Sequence, residues 1–219
     1  MPRCHIDHIV VTSPSLERGA DYLYQTLGVM PQPGGEHPRM GTHNLLLRLG
    51  DALYLEVIAT NPRAPAPGRS RWFGLDSMKA VSQPALSTWV ARSEDIRAST
   101  AGCPEPLGEV EAMSRGPYEW LITVPADGRV PLDGVAPALI EWRSAVHPAS
   151  QLDECGCSLV ELTVRHPDPV RVARLLNTLG LSGVAVEPLP VGCTTPHLVA
   201  VIDTPQGRKI LSPVGPPVR

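Results

Sequence analysis

Residues 6–28, IDHIVVTSPSLERGADYLYQTLG, and residues 158–180, LVELTVRHPDPVRVARLLNTLG with its leading Ser158, each place a β-branched strand ahead of an amphipathic helix that ends at Leu-Gly. A chain that repeats one supersecondary unit must bury the apolar face of each copy against another copy, so this recurrence restricts the fold more than any single motif. In the first copy Leu16, Ala20, Leu23 and Leu27 recur at helical spacing and Gly28 is placed to stop the helix. Two strand-like runs follow, LLLRLG and ALYLEVIA, separated by the hairpin signal Gly50-Asp51. The middle of the chain repeats the order: ALSTWVA as strand, SEDIRAST as a short helix capped by Ser93, then LGEVEAM, YEWLITV and ALIEWR as strands. Near the end HLVAVIDTPQGRKILSP supplies a hairpin like that of the first copy. The expected organisation is a βαβββ unit over residues 1–62, a connector over 63–80, a second unit over 81–150 and a third, partial unit over 151–219. The fold class that follows is α+β, built from repeated βαβββ units with a third similar unit at the C-terminus.

Composition decides what such a scaffold can meet. The 25 prolines and 19 glycines would indicate disorder if they clustered, but they are spread between apolar runs and read as punctuation of many short elements. Their densest patch, TNPRAPAPGRSR at residues 60–71, reads as an exposed connector. A formal charge of -3 gives no broad basic field, which argues against nucleic acid and anionic membranes as partners and leaves a small molecule as the default. Five cysteines, odd in number and without C-x-x-C spacing, fit reduced thiols; Cys155-Gly-Cys157 reads as two loop thiols before a strand. With no signal-peptide core and no apolar span of membrane length, a cytoplasmic protein is expected. A P-loop, a dinucleotide glycine fingerprint and a G-x-S-x-G elbow are all missing from the sequence, so nucleotide-dependent and serine-hydrolase chemistry are disfavoured.

The tandem unit opening with HIVV and LERGADYLYQTLG and carrying LYLEVI on its last strand resembles the vicinal oxygen chelate superfamily, the glyoxalase and extradiol dioxygenase class. Within it, GGEHPRMGTHNLLLRLGDALYLEVIATNP is similar to the glyoxalase-like domain group, as are LSTWVARSEDI and LIEWRS. The resemblance covers residues 5 to 145 well and the last 60 more loosely. It implies that paired units curl a mixed sheet into a cup, with metal ligands on the first and last strands of each unit: His8 and Glu56 in unit one and Glu141 in unit two, with the remaining first-strand position falling near Thr88, a poor ligand, beside Trp89. His, Glu and Glu would suit Zn, Ni, Mn, Co or Fe.

Strand periodicity adds to this independently. Ile6, His8, Val10 and Thr12 share one face, and Tyr54, Glu56 and Ile58 share another, so both candidate ligands lie among apolar neighbours that could line a cavity. A carboxylate on such a face is costly to bury unless it is paired or bound to a cation. His43 has the parity of Leu45 and Leu47 and is a candidate base, ligand or substrate anchor at the cavity mouth, while His37, next to Pro38, would shape the opening. Tyr54, His37 and Trp89 are the expected pocket residues, although the tryptophans at 89, 120 and 142 as a group suit the core. The function the resemblance implies for these residues is a lyase or isomerase of the glyoxalase kind that holds a small oxygenated substrate through a divalent metal while Glu141 or His43 moves a proton. A metal-free cup that sequesters a small molecule is the alternative, and Fe(II) oxygen chemistry on His8, His43 and Glu56 a third reading. The odd third unit, with a free sheet edge, also implies a homodimer.

Overall fold

The computed structural model describes residues 3–213; residues 1–2 and 214–219, the outer ends of the first and third units read from sequence, lie outside the described residues. The first unit runs β1 (His5–Thr12), α1 (Leu16–Leu27), β2 (Gln32–His37), β3 (Thr42–Gly50) and β4 (Leu53–Thr60). The second repeats it as β5 (Ala85–Arg92), α2 (Ile96–Ala101), β6 (Glu109–Arg115), β7 (Tyr118–Val124) and β8 (Pro137–Trp142). The third is β9 (Ser158–Arg165), α3 (Pro169–Thr178), β10 (Val184–Glu187), β11 (His197–Thr204) and β12 (Gly207–Leu211).

Local chemistry sets the helix ends. The Ser15 side chain accepts from the Arg18 amide at the start of α1, and Gly28 ends the helix at φ 74, a left-handed conformation that glycine adopts without strain. In α2 the cap is Asp95, whose side chain accepts from the Ala98 amide; Ser93, the cap expected from sequence, sits two residues earlier and instead accepts from the Asp95 amide. Ser93 Oγ also pairs with Ser99 Oγ, 2.8 Å away, inside the fold.

The first two units make one eight-stranded sheet in the order β2-β3-β4-β1-β5-β8-β7-β6. In each half the last strand lies parallel to the first, β4 on β1 and β8 on β5, and the two first strands pair antiparallel to join the halves. The sheet curls until its edges meet: Arg39 on the β2–β3 turn bonds Glu111 at 2.5 Å and the Ala112 carbonyl at 2.9 Å on β6, and Arg69 reaches the same Glu111 at 2.6 Å. The result is the expected cup.

The third unit keeps the element order but not the pairing. Its sheet runs β10-β9-β11-β12, with β10 parallel to β9 and β11 antiparallel on the other side of β9. The hairpin at β11–β12 therefore occupies the slot that the next unit's first strand fills in the large sheet. The nine-residue, proline-bearing stretch 188–196 between β10 and β11 is long enough to carry the chain across, whereas only residues 38–41 separate β2 from β3. This sheet does not enter the cup. Its apolar face, with Leu162, Val164, Leu198, Ala200 and Ile202, forms a core with Leu23 and Leu27 of α1 and Leu47, Leu55 and Val57 from the outer face of the large sheet. A separate cluster lines the inside of the cup, including Val10, Ile58, Val90, Ile122 and Ile140.

The segment linking the first two units is exposed over its proline-rich part but then turns inward. Trp72 is 4% exposed and Leu75 2%, and both pack on the inner cluster of the cup. Phe73 follows at φ 57, a left-handed conformation rare for an aromatic residue.

Candidate functional site

The polar centre of the cup begins at a bulge. The pairing of β1 with β5 shifts register between Ile6 and His8, and Asp7 in that irregularity is wholly buried. Asp7 Oδ1 accepts from His8 Nδ1 at 2.7 Å, while Oδ2 accepts from Trp142 Nε1 at 2.9 Å and His147 Nε2 at 3.0 Å. Burial alone would raise this carboxyl, but hydrogen bonds and charge from His147 and His8 outweigh it and hold Asp7 well below the usual carboxylate range. Nδ1 of His8 is thereby committed as a donor, and Nε2 is turned towards Glu56 Oε2, 3.7 Å away. Glu56 is fixed through its other oxygen, which accepts from Asn44 Nδ2 at 2.5 Å. Tyr54, beside His8 in the parallel register of β1 and β4, stacks on its ring at 4.5 Å between centroids. Burial keeps the Tyr54 hydroxyl protonated, well above its ordinary range.

The opposite wall comes from β2 and the second unit. His37 bonds Thr42 Oγ1 through Nδ1 at 3.1 Å and accepts from Arg115 Nη1 at Nε2, 3.4 Å away. Burial, followed by the nearby charges of Arg115 and His8, pushes His37 well below its ordinary value, so it is a neutral imidazole that donates from Nδ1 and accepts at Nε2. Trp72, Phe73, Trp120 and Trp142 complete the lining and leave a cavity of about 20 Å³, room for one water or a small ion. Trp72 Nε1 and Thr88 Oγ1 are buried without a partner among the described residues.

Of the residues singled out in the sequence, the structure brings His8, Glu56, Tyr54 and His37 together around this cavity. It places the other three elsewhere. Glu141 lies between Ile140 and Trp142, which face the cavity, and points the other way: Oε2 accepts from the Ile96 amide at the start of α2 at 2.9 Å, and Oε1 pairs with Arg143 at 2.9 Å. His43 lies between Thr42 and Asn44, whose side chains reach His37 and Glu56, and so occupies the outer face of β3. There burial lowers its pKa against the opposing charges of Glu17 and Glu36. Trp89 is fully buried in the core behind the cup, its Nε1 donating to the Val135 carbonyl at 2.9 Å. In each case strand parity was available in the sequence, but which parity faced inward was not.

Asp7, Asn44, Trp72, Arg115, Trp142 and His147 belong to the site without having been singled out for it. Asp7 had a signal, an acid directly before the candidate histidine in I-D-H, and Asn44 another, directly after His43 in G-T-H-N. Arg115 had none beyond a charge at the end of a strand.

The donor set is short of what a resident divalent metal requires. His8 Nε2 and Glu56 Oε2 converge, but Glu141 faces away, Thr88 offers only a hydroxyl, and the cation of Arg115 shares the cavity. Among the described residues no three His, Cys, Asp or Glu side chains are grouped to hold an ion, and protein sites for zinc take three or four. The residues present do not fit a metal held by the protein alone.

Residues 6–180 match the model of the glyoxalase-like domain family. Among solved structures, a hypothetical protein from Staphylococcus aureus is similar at 14% identity and TM-score 0.57, over 95% of this chain and 85% of that one. Methylmalonyl-CoA epimerase from Mycobacterium tuberculosis is similar at 18% identity and TM-score 0.40, over 62% of this chain and 86% of that one. A Streptomyces coelicolor methylmalonyl-CoA epimerase in complex with 2-nitronate-propionyl-CoA is similar at 16% identity and TM-score 0.41, over 64% and 97%. Among curated proteins, none matches the chain. No helix of the described residues is long and apolar enough to cross a membrane.

Proposed function

Because the chain belongs to the glyoxalase-like domain family, in the vicinal oxygen chelate superfamily, we propose that its cup takes a small oxygenated compound and moves a proton on it, as an isomerase or lyase, with His8 as the base. The observation that carries this reading is the buried line from Asp7 Oδ1 through both nitrogens of His8 to Glu56 Oε2. A histidine whose Nδ1–H is held by a buried carboxylate presents a fixed lone pair at Nε2, the arrangement that general-base chemistry uses. When Nε2 takes a proton from a carbon next to a carbonyl, the imidazolium stands between Asp7 and Glu56 and is stabilised by both. Glu56, anchored by Asn44, then takes that proton from His8 Nε2 on its free oxygen and gives it to a neighbouring carbon or to a leaving group, which restores the neutral imidazole and the carboxylate.

The cavity of 20 Å³ is too small for such a substrate as it stands, and Trp72 and Phe73 on the connector are the groups that must withdraw to admit one. The divalent ion expected from sequence has two protein donors here, so no step is assigned to it. The second reading, sequestration without turnover, draws on the aromatic lining of Tyr54, Trp72, Phe73, Trp120 and Trp142. The test is hydrogen–deuterium exchange at the α-carbon of small 2-hydroxycarbonyl and 2-oxo compounds in deuterated buffer, followed by proton NMR with chelator-treated protein. Exchange that disappears in His8→Ala and Glu56→Gln supports the proton-transfer reading; binding without exchange favours sequestration, and exchange restored only by added metal favours the metal route. We further read the chain as a cytoplasmic homodimer paired through a free edge of the smaller sheet, where Ile210 on β12 is 61% exposed; light scattering that gives a monomer refutes the pairing.

A further inference from the structure

We propose that Arg115 is an anion-binding site, so that the substrate of this cup carries a carboxylate or phosphate whose remaining bulk lies in a groove outside the rim. The inference rests on the cup being a small-molecule site, as proposed above, and adds the chemical class of what it takes. Arg115 is 8% exposed, yet among the described residues it forms no ion pair. Four other arginines around the cup do have carboxylate partners: Arg39 and Arg69 pair with Glu111, Arg143 with Glu141 and Arg171 with Glu105. Among the described residues the Arg115 guanidinium has two partners, the neutral nitrogen of His37 and the ring face of Tyr118, 5.6 Å from its centroid. A buried guanidinium without a counter-charge is costly, and the fork it presents matches an anionic oxygen pair.

Two further observations give that anion a place. Arg115 and Trp120 line both the inner cavity and a groove of about 640 Å³ on the outside, between the β2–β3 turn and the β6–β7 hairpin, so the guanidinium stands in the wall between them. Its stem is held by Gly35, where a Cβ would come within 2.8 Å of Arg115 Cδ, so the close backbone approach of β2 fixes the direction of the head group. An anion on Arg115 thus has its reactive end directed at His8 and Glu56 and its tail in the groove.

The experiment is titration of chelator-treated protein with pyruvate, dihydroxyacetone phosphate and neutral hydroxyacetone, read by tryptophan fluorescence. The wild type is expected to bind the charged probes at least tenfold more tightly than hydroxyacetone, with affinity falling as salt is raised. Arg115→Gln should lose that tenfold preference and leave hydroxyacetone unchanged, and Gly35→Ala, which keeps the charge but displaces its stem, should weaken the charged probes as well. Preference for pyruvate alone assigns a carboxylate, and for dihydroxyacetone phosphate alone a phosphate. Equal binding of charged and neutral probes, or an Arg115→Gln protein that retains the preference, overturns the proposal. His8→Ala separates the two readings: it should abolish proton exchange and keep Arg115-dependent anion binding. Anion binding without exchange in the wild type therefore removes only the proton-transfer reading, while exchange on pyruvate and dihydroxyacetone phosphate that is unchanged in Arg115→Gln removes only this one.

Discussion

Replacing Asp7 tests the centre of the site, because one buried carboxylate there answers three donors from three parts of the chain. Asp7 is 0% exposed and accepts from His8 in β1, Trp142 in β8 and His147 before the third unit. Asp7→Ala leaves all three without an acceptor. Each such donor costs about 1–3 kcal/mol when buried, and with His147 partly open to water we expect a net loss of about 3–5 kcal/mol. Asp7→Asn is the sharper perturbation. Indole Nε1 can only donate, so the amide oxygen must stay on the side of Trp142 and His147, and the NH₂ must then face His8 Nδ1. His8 can accept there only as the other tautomer, with its proton on Nε2 facing Glu56. Asp7→Asn should therefore cost less, about 1–3 kcal/mol, but should move the proton from Nδ1 to Nε2 and so remove the lone pair of the proposed base. Urea denaturation at pH 7 measures the first effect, and long-range proton–nitrogen NMR of the histidine rings the second. An Asp7→Asn protein within about 0.5 kcal/mol of wild type, or one in which Nδ1 of His8 still carries the proton, would refute the reasoning.

Two further outcomes follow from the same geometry. His37 is neutral in the fold and its pKa is depressed by burial, so the unfolded chain binds a proton that the folded one does not as pH falls below about 6.5. Its contribution to stability is present above that pH and is lost below it, with a slope approaching about 1.4 kcal/mol per pH unit that His37→Gln should remove from urea midpoints measured between pH 7 and 5. Trp72→Ala empties a 4%-exposed position over the cup and should destabilise by about 3 kcal/mol or more while speeding the association of pyruvate in stopped flow; slower association would show that the connector does not guard the cup.

Much of the fold was legible because it rests on local patterns that tertiary context reinforces. The spacing of Leu16, Ala20, Leu23 and Leu27 did become the helix that packs behind the sheet, with Leu16 only partly buried, and Gly28 did end it. What the sequence could not carry was non-local. The hairpin of the third unit reads like that of the first, but which side of β9 it joins depends on the length of the loop before it and on what already covers the back of the cup. The connector looked exposed from its prolines, and its inward turn at Trp72 depends on a cavity that exists only once two units have closed.

The site divides its labour between the two units in a way that strand parity explains. The parallel pairs β1–β4 and β5–β8 are equivalent by topology, yet the first places His8 and Glu56 inside the cup and the second does not place Glu141 there. A side chain on a strand has two choices, and the face that one residue takes fixes its neighbours. On β8 the inward face belongs to Ile140 and Trp142, and Trp142 uses it to donate to Asp7, so Glu141 must face α2 and there accepts from the Ile96 amide. The second unit thus supplies a donor to Asp7 and, through Arg115, a cation, while the first supplies His8 and Glu56, the proposed proton-transfer pair. Exchanging that arrangement for a symmetric ligand set would require shifting β8 by one residue against β5, which would expose Trp142 and leave Asp7 one donor short. The asymmetry is held in place by the buried carboxylate beside His8, and for that reason Asp7 constrains the chemistry of this cup more tightly than the residue the second unit lacks.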